Sequence, residues 1–597
     1  MTPYSNKTLK GGAFLIQENS PEDIFIPEEF GEEENMMRQS CKDFVSKEID
    51  PIRDRIDKLE PGLMNDVLSK AGELGFLGVS VPEVYGGLGL SFNCSMLIAD
   101  ALGATGSFAT AYGAHTGIGT LPILYYGTDA QKQKYVPKLA SGEWKACYCL
   151  TEPDAGSDAN SGKTKAVLSA DGQHYLLTGQ KMWISNAGFA QLLIVFARIE
   201  NDKNLTAFIV ERSYEGITMN EEEHKMGIKG SSTRQVFFNE CPVPVENMLS
   251  ERGNGFKIAV NILNIGRIKL AVAALGGARD TCSTAIRYAN ERKQFNQKIS
   301  SFPAIQHKIA EMATKLYATE SACYRAGQDI DRLTSSLVQQ GLSESQAKLK
   351  SAEQFAVECA ITKVHSSEVL DYCVDEGVQI FGGMGFSADA PMERAYRDAR
   401  ISRIYEGTNE INRMLLVGML VKRGMKGELD LMGPAMAVGK ELLGVPDFNR
   451  PDLSQPLAEE KILIKNLKKA ILMIAGKAVQ SLGANFEDEQ ELLMTLADLI
   501  IECYVCESVC LRTEKLISLR GKDATKGHYA MTQLYVRKAL DLAAMQGKEA
   551  ICAFAKGDEM NVLLLGLKRF TKYAPLNNKE IRRSIAQMLI DNNGYCF

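Results

Sequence analysis

The chain of 597 residues lacks a strong excess of charge of either sign. Its 68 Lys and Arg residues nearly balance its 74 Asp and Glu residues, and the formal net charge is −6. No strong field therefore favours nucleic acid, and an anionic ligand would need only a local basic patch. We expect no nucleic-acid partner.

The sequence also lacks recognisable targeting and membrane-spanning segments. Residues 1–27 contain acidic residues and no apolar core, unlike a secretory signal or an Arg-rich transit peptide. No uncharged apolar stretch is long enough to cross a bilayer. Fourteen cysteines in so long a chain do not form a dense disulfide framework, so free buried thiols are expected. These features predict a cytoplasmic location.

Changes in hydrophobic periodicity predict an α+β fold that is mostly α. Residues 28–145 and 249–422 have helical periodicity, and the second segment has the long Ala-, Leu- and Lys-rich stretches of a helix bundle. Between them, β-branched runs separated by turns predict an antiparallel β domain. The division is an N-terminal extension (1–27), an N-terminal helical domain (28–145), a central antiparallel β domain (146–248), a helix-bundle domain (249–422), a linker (423–456) and an additional C-terminal helical domain (457–597).

The most informative run is residues 403–410, which read RIYEGTNE. Gly407 interrupts a stretch otherwise typical of helix, where glycine costs about 0.5–1 kcal/mol relative to alanine. A carboxylate such as Glu406 beside exposed peptide N–H groups suits removal of a proton next to a carbonyl, because the N–H groups can hold the developing enolate oxygen. Taken alone, an isolated Glu-Gly is more often a solvated glutamate at a helix end.

Two further motifs connect this run to a known family. Residues 148–158 read YCLTEPDAGSD and residues 179–186 read GQKMWISN. In this order the three motifs resemble the acyl-CoA dehydrogenase family, over roughly residues 30–420. The tail helices are similar to those of the very-long-chain branch, since short- and medium-chain members end near the equivalent of residue 422. The resemblance implies FAD as cofactor, because no side chain accepts hydride.

The resemblance implies that Glu406 removes the α proton of a fatty acyl-CoA while FAD accepts the β hydride. Some members place the base on a bundle helix, directly before an arginine. Here that position is Gly266, before Arg267, and glycine cannot act as a base. Arg267 is expected near the thioester-pantetheine part of the substrate, but could instead pair with a bundle carboxylate. The expected substrate-binding residues are Ser157, Asn264, Arg267, Tyr405 and Gly407.

The resemblance implies contacts to FAD in two places. The flavin is expected against Tyr148, Cys149, Leu150, Thr151, Gly156, Ser157, Trp183, Ile184, Ser185, Thr408 and Glu410. The pyrophosphate and adenosine of a neighbouring subunit's FAD are expected against Arg292, Phe295, Gln379, Gly382 and Gly383, which requires an oligomer, and the tail favours a homodimer. Without the resemblance, Trp183 would be interpreted as a core aromatic and Arg292 as part of a solvated basic face. Asn296 stands where the family often has glycine.

Two patterns in the tail allow alternative interpretations. Cys503, Cys506 and Cys510 have helical spacing and no fourth ligand nearby, so one buried helix face is expected rather than a metal site. The lysine stripe of residues 461–468 is expected to be solvated, and peripheral membrane contact is the sharper alternative.

Together these features predict an FAD-dependent dehydrogenase that converts medium- to very-long-chain acyl-CoA to trans-2-enoyl-CoA. By resemblance, the electrons would pass to an electron-transfer flavoprotein. Two alternatives stay open: an acyl-CoA oxidase, which would return electrons to oxygen, and a scaffold for respiratory-complex assembly with residual dehydrogenase activity. Glycines at positions 103, 106, 113, 117 and 119 predict either room for a deep acyl pocket or close helix packing.

Overall fold

The structure is a computed structural model that describes residues 10–444 and 453–597. Its first domain is helical, as predicted. The helices are α1 (Glu32–Phe44), α2 (Arg53–Asp57), α3 (Leu63–Glu73), α4 (Phe92–Leu102), α5 (Ser107–Gly113), α6 (Leu121–Tyr126) and α7 (Asp129–Ala140). A π-helical turn, Ala114–Gly119, follows α5. Such turns are frequent at functional sites.

The second domain is an eight-stranded sheet. Its strands are β1 (Ala146–Cys149), β2 (Lys165–Leu168), β3 (His174–Ser185), β4 (Leu192–Ile199), β5 (Thr206–Glu211), β6 (Ile217–Met219), β7 (Thr233–Pro244) and β8 (Met248–Leu249). The order is β6-β7-β3-β2-β4-β5-β8, with β1 beside β4. Strand β4 runs parallel to β1 and β2, and the other pairs are antiparallel. The sheet is therefore mixed rather than purely antiparallel, because the long connections into β4 permit parallel pairing.

The third domain is the predicted helix bundle. It contains α8 (Gly255–Glu291), the hairpin β9 (Lys293–Gln294) and β10 (Gln297–Lys298), α9 (Pro303–Gln339), α10 (Glu344–Gln354), α11 (Ala356–Phe381), α12 (Pro391–Ala399) and α13 (Asn409–Met425). Helix α8 packs against α4, α9 and α11. By length and composition it is apolar enough to cross a membrane, but 67% of its most apolar window is buried within the protein. A helix that is apolar on all sides is typical of a protein core.

The additional C-terminal domain is also helical. It contains α14 (Met432–Leu443), α15 (Ala458–Leu482), α16 (Gln490–Ala524, with a break at Gly521), α17 (Lys526–Phe554), α18 (Gly557–Phe570) and α19 (Asn578–Asp591). Helix α14 lies within the region 423–456, which was predicted to be a linker, and packs against α15. Segment 445–452 of that region lies outside the described residues. Cys503, Cys506 and Cys510 are buried on α16, as expected for a core face.

Residues 10–30 pack between the bundle and the tail. The ring of Phe14 contacts Tyr504 of α16 edge-on, with centroids 4.9 Å apart. The buried Arg512 lies 2.6 Å from a Glu28 carboxylate oxygen and 2.8 Å from one of Glu320 in α9. This N-terminal segment therefore ties α16 to α9 through buried, paired charges.

The tail lysine stripe is neutralised by ion pairs. Lys461 pairs with Glu514, Lys465 with Glu18, and Lys468, which is buried, with Glu507. Lys461 and Lys465 are exposed, as predicted for a solvated face, whereas Lys468 is buried. The carboxylates that pair with all three come from the N-terminal segment and α16, which are distant in the chain. The cationic charge on which the alternative of membrane contact depends is thus paired with carboxylates of the protein.

Candidate active site

The loop that carries Glu406 is a sharp break between two helices. A short 3-10 turn, Arg400–Arg403, precedes it, and α13 begins directly after Thr408. Glu406 has a φ of 59° and Gly407 a φ of 80°. A left-handed glutamate is strained, and such strain persists at functional sites only where the surroundings enforce it. Thr408 then caps α13, its hydroxyl accepting from the Ile411 N–H at 3.2 Å.

Three buried side chains hold this loop by its carbonyl groups. Lys363 Nζ and Asn412 Nδ2 each donate to the Gly407 carbonyl at 2.8 Å. Arg267 Nε donates to the Glu406 carbonyl at 3.2 Å. The N–H groups of Glu406 and Gly407 donate to no acceptor within the part of the chain that the structure describes. The loop therefore presents two free N–H donors beside a carboxylate.

Lys363 and Asn412 were missed by the sequence analysis. Each lies inside a helix, Lys363 among apolar residues of α11 and Asn412 in the first turn of α13. A lysine in an apolar helical segment is a signal that could have found Lys363, because a fully buried lysine needs partners. The sequence around Asn412 contains no pattern that would have indicated its role.

The Glu406 carboxylate is set up to accept a proton. Its Oε2 is buried and has no hydrogen-bond partner in the described parts of the chain. Burial raises the pKa of Glu406 to about 7, against the opposing charges of Arg267 and Lys363. A carboxylate with a pKa near the working pH is a more effective general base than an ordinary glutamate.

Gly266 leaves the space that this carboxylate occupies. A Cβ added at Gly266 would lie 2.9 Å from Glu406 Oε2 and 3.0 Å from Cδ. Residue 266 and Glu406, the two positions at which a base was considered, thus border the same space. Here glycine on α8 makes room for the glutamate from the loop.

A cavity of about 460 Å³ extends from Glu406 into the helical core. Tyr405, Glu406 and Ser185 lie at one end, and burial raises the pKa of Tyr405 to about 12. One face of α8 forms a wall along the cavity's length: Gly266, Lys269, Leu270, Ala273, Ala274, Gly277, Asp280, Thr281 and Thr284. The cavity therefore begins where the three domains meet and continues along a helix of the bundle.

The predicted pocket glycines divide into two kinds. A Cβ at Gly113 or Gly117 would meet nothing within 4 Å, so these two residues keep the cavity open. At Gly103 a Cβ would lie 2.1 Å from the Ala273 carbonyl oxygen, and at Gly119 it would lie 2.7 Å from Ala146 Cβ. Gly106 is left-handed, with Asp398 directly beside it. These three glycines serve close packing, although Gly103 and Gly106 also line the cavity.

The β domain carries an uncovered aromatic ring, Trp183, two residues before Ser185, which lines the cavity. Pairing between β3 and β7 shifts register between Lys181 and Ile184, which makes a bulge at Trp183. Trp183 has a φ of 60°, and 54% of its surface is exposed. Bulges re-aim side chains next to active sites. Trp183 is thus directed out of the sheet rather than into its core.

The motif of residues 148–158 lies next to this bulge. The Met182 N–H donates to the Thr151 carbonyl at 2.9 Å. Glu152, buried in the turn, pairs with Lys181 Nζ at 2.6 Å. Although burial opposes ionisation, Lys181 and backbone donors hold the pKa of Glu152 below its ordinary value. This pair, which the sequence analysis did not identify, fixes the turn onto β3.

The remaining predicted flavin residues differ in what they present. Cys149, Leu150 and Ile184 are buried in the core, so only their main chain is available to a ligand. Gly156 and Ser157 are exposed, and a Cβ at Gly156 would meet nothing within 4 Å. The hydroxyl of Tyr148 is buried and has no hydrogen-bond partner among the described residues, and burial together with the Glu406 charge raises its pKa. Glu410 is exposed in the first turn of α13.

Asn264 and Arg267 lie behind the Glu406 loop rather than on the cavity wall. Both are buried, and Arg267 Nη1 donates to Asn264 Oδ1 at 2.7 Å. Neither lines the cavity. Arg267 holds the loop through the Glu406 carbonyl, and Asn264 in turn holds Arg267. Contact of these two residues with the substrate stays a prediction.

The second predicted cofactor cluster forms at the far end of α8. Arg292 follows α8, and the two-residue turn of the β9–β10 hairpin is Phe295-Asn296, with φ values of 52° and 60°. Asparagine tolerates this conformation, so Asn296 can replace the glycine of the family pattern. Tyr288 stacks on Phe381 at 3.9 Å, which joins the hairpin to the neighbouring segment of Gln379, Gly382 and Gly383.

This cluster cannot reach the Glu406 site of its own chain. Twenty-six residues of straight helix separate Gly266 from Arg292, about 39 Å. Phe295 is 89% exposed, and a Cβ on Gly382 or Gly383 would meet nothing within 4 Å. The two clusters suit different chemical groups, a flat ring and a phosphate. Trp183 and the open turn suit the ring, and Arg292 suits the phosphates.

Models of one protein family match four segments of the chain. The acyl-CoA dehydrogenase N-terminal domain matches residues 31–143, the middle domain residues 147–241 and the C-terminal domain residues 253–420. A second model, also described as an acyl-CoA dehydrogenase C-terminal domain, matches residues 466–569. The tail is thus a known family module.

Individual relatives match over most of the chain. A probable acyl-CoA dehydrogenase of Bacillus subtilis is 42% identical over 586 residues, covering 98% of both chains. The human mitochondrial very long-chain specific acyl-CoA dehydrogenase is 35% identical, covering 81% of this chain and 76% of that protein. A crystal structure of acyl-CoA dehydrogenase complexed with FAD from Bacillus anthracis superposes with a TM-score of 0.95 at 44% identity, covering 99% of this chain and 100% of that one. The chain therefore belongs to the acyl-CoA dehydrogenase family of FAD-dependent oxidoreductases and carries the additional C-terminal helical domain.

Proposed function

We propose that the protein dehydrogenates long straight-chain fatty acyl-CoA thioesters to trans-2-enoyl-CoA, with Glu406 as the base. The observation that carries this proposal is the buried, unpartnered Oε2 of Glu406 at the head of a long cavity. No hydrogen-bond donor contacts this oxygen among the residues that the structure describes, and Glu406 lines the space that a substrate would fill. FAD, when bound, supplies the acceptor for the β hydride.

The Glu406 loop supplies both groups that α-proton removal requires. The carboxylate takes the proton, and its raised pKa lies close to neutral pH, where a general base is most effective. The free N–H groups of Glu406 and Gly407 are oriented by the buried donors behind the loop, so they can stabilise charge on the thioester oxygen. Lys363, Arg267 and Asn412 act here as positioning residues.

The length of the cavity supports long acyl chains. Its α8 wall runs from Gly266 to Thr284, and 18 residues of helix rise about 27 Å. One leaflet of a bilayer, which holds one layer of fatty acyl chains, is only about 15 Å thick in its hydrocarbon part. A cavity limited to short acyl groups would not need this wall. The wall is lined mostly by small and apolar residues, which suits a hydrocarbon chain.

The separation of the two cofactor clusters supports a homodimer or a larger homo-oligomer. Trp183 and Glu406 of one chain would share FAD with Arg292 and Phe295 of another. We propose that the electrons pass to an electron-transfer flavoprotein, as the family resemblance implies. We also propose that the protein works in the cytoplasm. Formation of hydrogen peroxide during turnover would instead indicate an oxidase.

The decisive experiment is an anaerobic titration of the purified FAD-bound protein with palmitoyl-CoA, followed by visible absorption. Loss of the oxidised flavin band, with Glu406→Gln remaining oxidised, would support both the reaction and its base. A flavin that no acyl-CoA of any length reduces would refute the proposal. Protein purified without flavin would first be reconstituted with FAD, since a lost cofactor mimics inactivity.

A further inference from the structure

One residue of the cavity wall has a strained backbone. Ile228 has a φ of 44°, and it is the only β-branched residue with a left-handed backbone among the residues that the structure describes. A β-branched side chain in this region is a genuine conformational outlier. Within the described ranges, Ile228 and Glu406 are the two non-glycine residues of this kind that line the cavity. Such strain persists only where the surrounding structure enforces it, and it clusters at functional sites.

The side chain of Ile228 does not belong to a hydrophobic core. Ile228 is buried, yet it is part of none of the apolar clusters that the described residues form. It lies between β6 and β7, in a loop whose residues 226–230, here called the wedge loop, extend from the β domain to both neighbouring helical domains. Ile228 is therefore placed to shape the cavity that it lines rather than to stabilise a core.

Helix α12 holds one side of the wedge loop. Arg397 Nη1 donates to the Met226 carbonyl at 3.0 Å, and the Ile228 N–H donates to Asp398 Oδ1. A Cβ added at Gly227 would lie 2.2 Å from the Arg397 carbonyl oxygen, so the loop backbone is in direct contact with the helix backbone. The main chain of Ile228 is thus fixed from the bundle side.

The N-terminal helical domain holds the other side. The Gly230 N–H donates to Ser107 Oγ at 3.1 Å, and a Cβ at Gly230 would lie 2.4 Å from the Ile56 carbonyl oxygen. The Ser231 N–H donates to the Ile228 carbonyl at 3.1 Å, which closes a turn. The wedge loop is therefore held between two domains, and these contacts enforce the strained conformation of its central residue.

Neighbouring contacts locate Ile228 along the cavity. Asp398, which accepts its N–H, also lines the cavity, and a Cβ at Gly106 would lie 2.4 Å from Asp398 Oδ2. Gly103, one short turn before Gly106, packs against Ala273 of α8. From position 266, where the α8 wall begins, to Ala273 the helix rises about 10 Å. Ile228 thus borders the part of the cavity that the middle of a long acyl chain would occupy, away from the reacting carbons.

We propose that Ile228 determines which acyl chains this cavity admits, because its fixed side chain closes the wall against a chain with a methyl branch near its middle. A straight chain passes the same point. Close-packed walls exclude an added methyl group when they cannot yield, and the main chain behind Ile228 is held on both sides. This inference rests on the proposed function and deepens it by naming the residue that limits the cavity to straight chains.

The test compares acyl-CoA thioesters that differ by one methyl group. Palmitoyl-CoA is compared with 6-, 8- and 10-methylhexadecanoyl-CoA by kcat/KM for anaerobic flavin reduction. The Kd of each matching trans-2-enoyl-CoA, measured by calorimetry on the oxidised protein, gives a readout that does not depend on turnover.

The FAD-bound full chain is used as wild type, Ile228→Gly, Ile228→Ala and Ile217→Ala. Glycine removes both the side chain and the strain, and alanine provides a second variant should the glycine variant not fold. Ile217 packs against the sheet of the same domain and does not line the cavity, so Ile217→Ala is the matched control.

One methylene group in an apolar pocket changes kcat/KM by about 10- to 200-fold. We expect both Ile228 variants to raise the branched-to-straight ratio at least about tenfold for one or more branch positions, in kcat/KM and in binding, and Ile217→Ala to change no ratio. A general loss of structure would lower both rates without this change of ratio.

Ratios equal to those of wild type at all three branch positions, or raised equally by Ile217→Ala, would overturn the inference. Reduction by palmitoyl-CoA with unchanged ratios would leave the proposed function standing. No reduction by any of these substrates would refute that function and this inference together.

Discussion

Replacing Glu406 by glutamine should make the folded protein more stable at alkaline pH while removing its base. The pKa of Glu406 rises from 4.5 to about 7 on folding, chiefly through burial. A carboxyl group with a raised pKa favours the folded state when protonated and destabilises it once ionised. The cost is therefore absent below about pH 4.5, grows as the pH rises, and is complete above about pH 7. Its full size is about 3 kcal/mol, at about 1.4 kcal/mol per pKa unit.

Glutamine has nearly the same shape and carries no charge, so Glu406→Gln should escape this cost. For 597 residues, at roughly 2.1 cal/mol/K of unfolding entropy per residue, 3 kcal/mol corresponds to about 2 °C in Tm. Scanning calorimetry of the FAD-bound wild type and variant at about pH 5 and about pH 8 measures the difference. The variant should melt higher at the alkaline pH and close to wild type at the acidic one.

The rate of flavin reduction provides a second test of this prediction. The rate of flavin reduction in wild type should rise with pH and level off above about 7, as the carboxylate ionises. The variant should lose about 10²- to 10⁴-fold in rate, the usual contribution of a general base. A Tm difference that is the same at both pH values would refute the raised pKa. Flavin reduction by the variant at the wild-type rate would refute the assignment of the base.

Four further predictions follow from the same geometry. Lys363→Met removes a charge that lowers the pKa of Glu406, so the pH profile of flavin reduction should move to higher pH, and an unmoved profile would contradict this. Gly266→Ala places a Cβ 2.9 Å from Glu406 Oε2 and should lower kcat about 100-fold by displacing the base, while a wild-type rate would show that the carboxylate has other room. Gly113→Val fills open cavity and should reduce kcat/KM at least tenfold more for palmitoyl-CoA than for butyryl-CoA, with Gly418→Val, also in open space, as control. Arg512→Met leaves Glu28 without its arginine and Glu320 with Arg279 alone, and should cost about 3–5 kcal/mol, read as a lower Tm.

Much of the site could be identified from the sequence because its chemistry rests on residue types at fixed local spacing. Glu406 beside Gly407 and the glycine at position 266 can be recognised without coordinates. A carboxylate can act as a base, whereas glycine has no side chain that could. Helical and β segments were predictable for a similar reason, because periodicity is a local property of the chain. The match of Asn296 to a glycine position also follows from its own backbone preference.

Other features depended on contacts between residues far apart in the chain, which no local pattern encodes. Lys363 and Asn412 act on Glu406 only because α11 and α13 meet behind the loop. The five candidate pocket glycines look alike in the sequence, yet Gly113 and Gly117 face empty space while Gly119 packs against β1.

The sequence by itself, through its resemblance to the family, determined the cofactor class and the order of the domains, and it predicted Glu406 as the base. Tertiary structure decided the course of the cavity, the exposure of Trp183 at its bulge and the pairing of the tail lysines. The physical reason is that ionisation and accessible space depend on what surrounds a group in three dimensions, and the buried Lys468 and the exposed Lys465 are the same letter in the sequence.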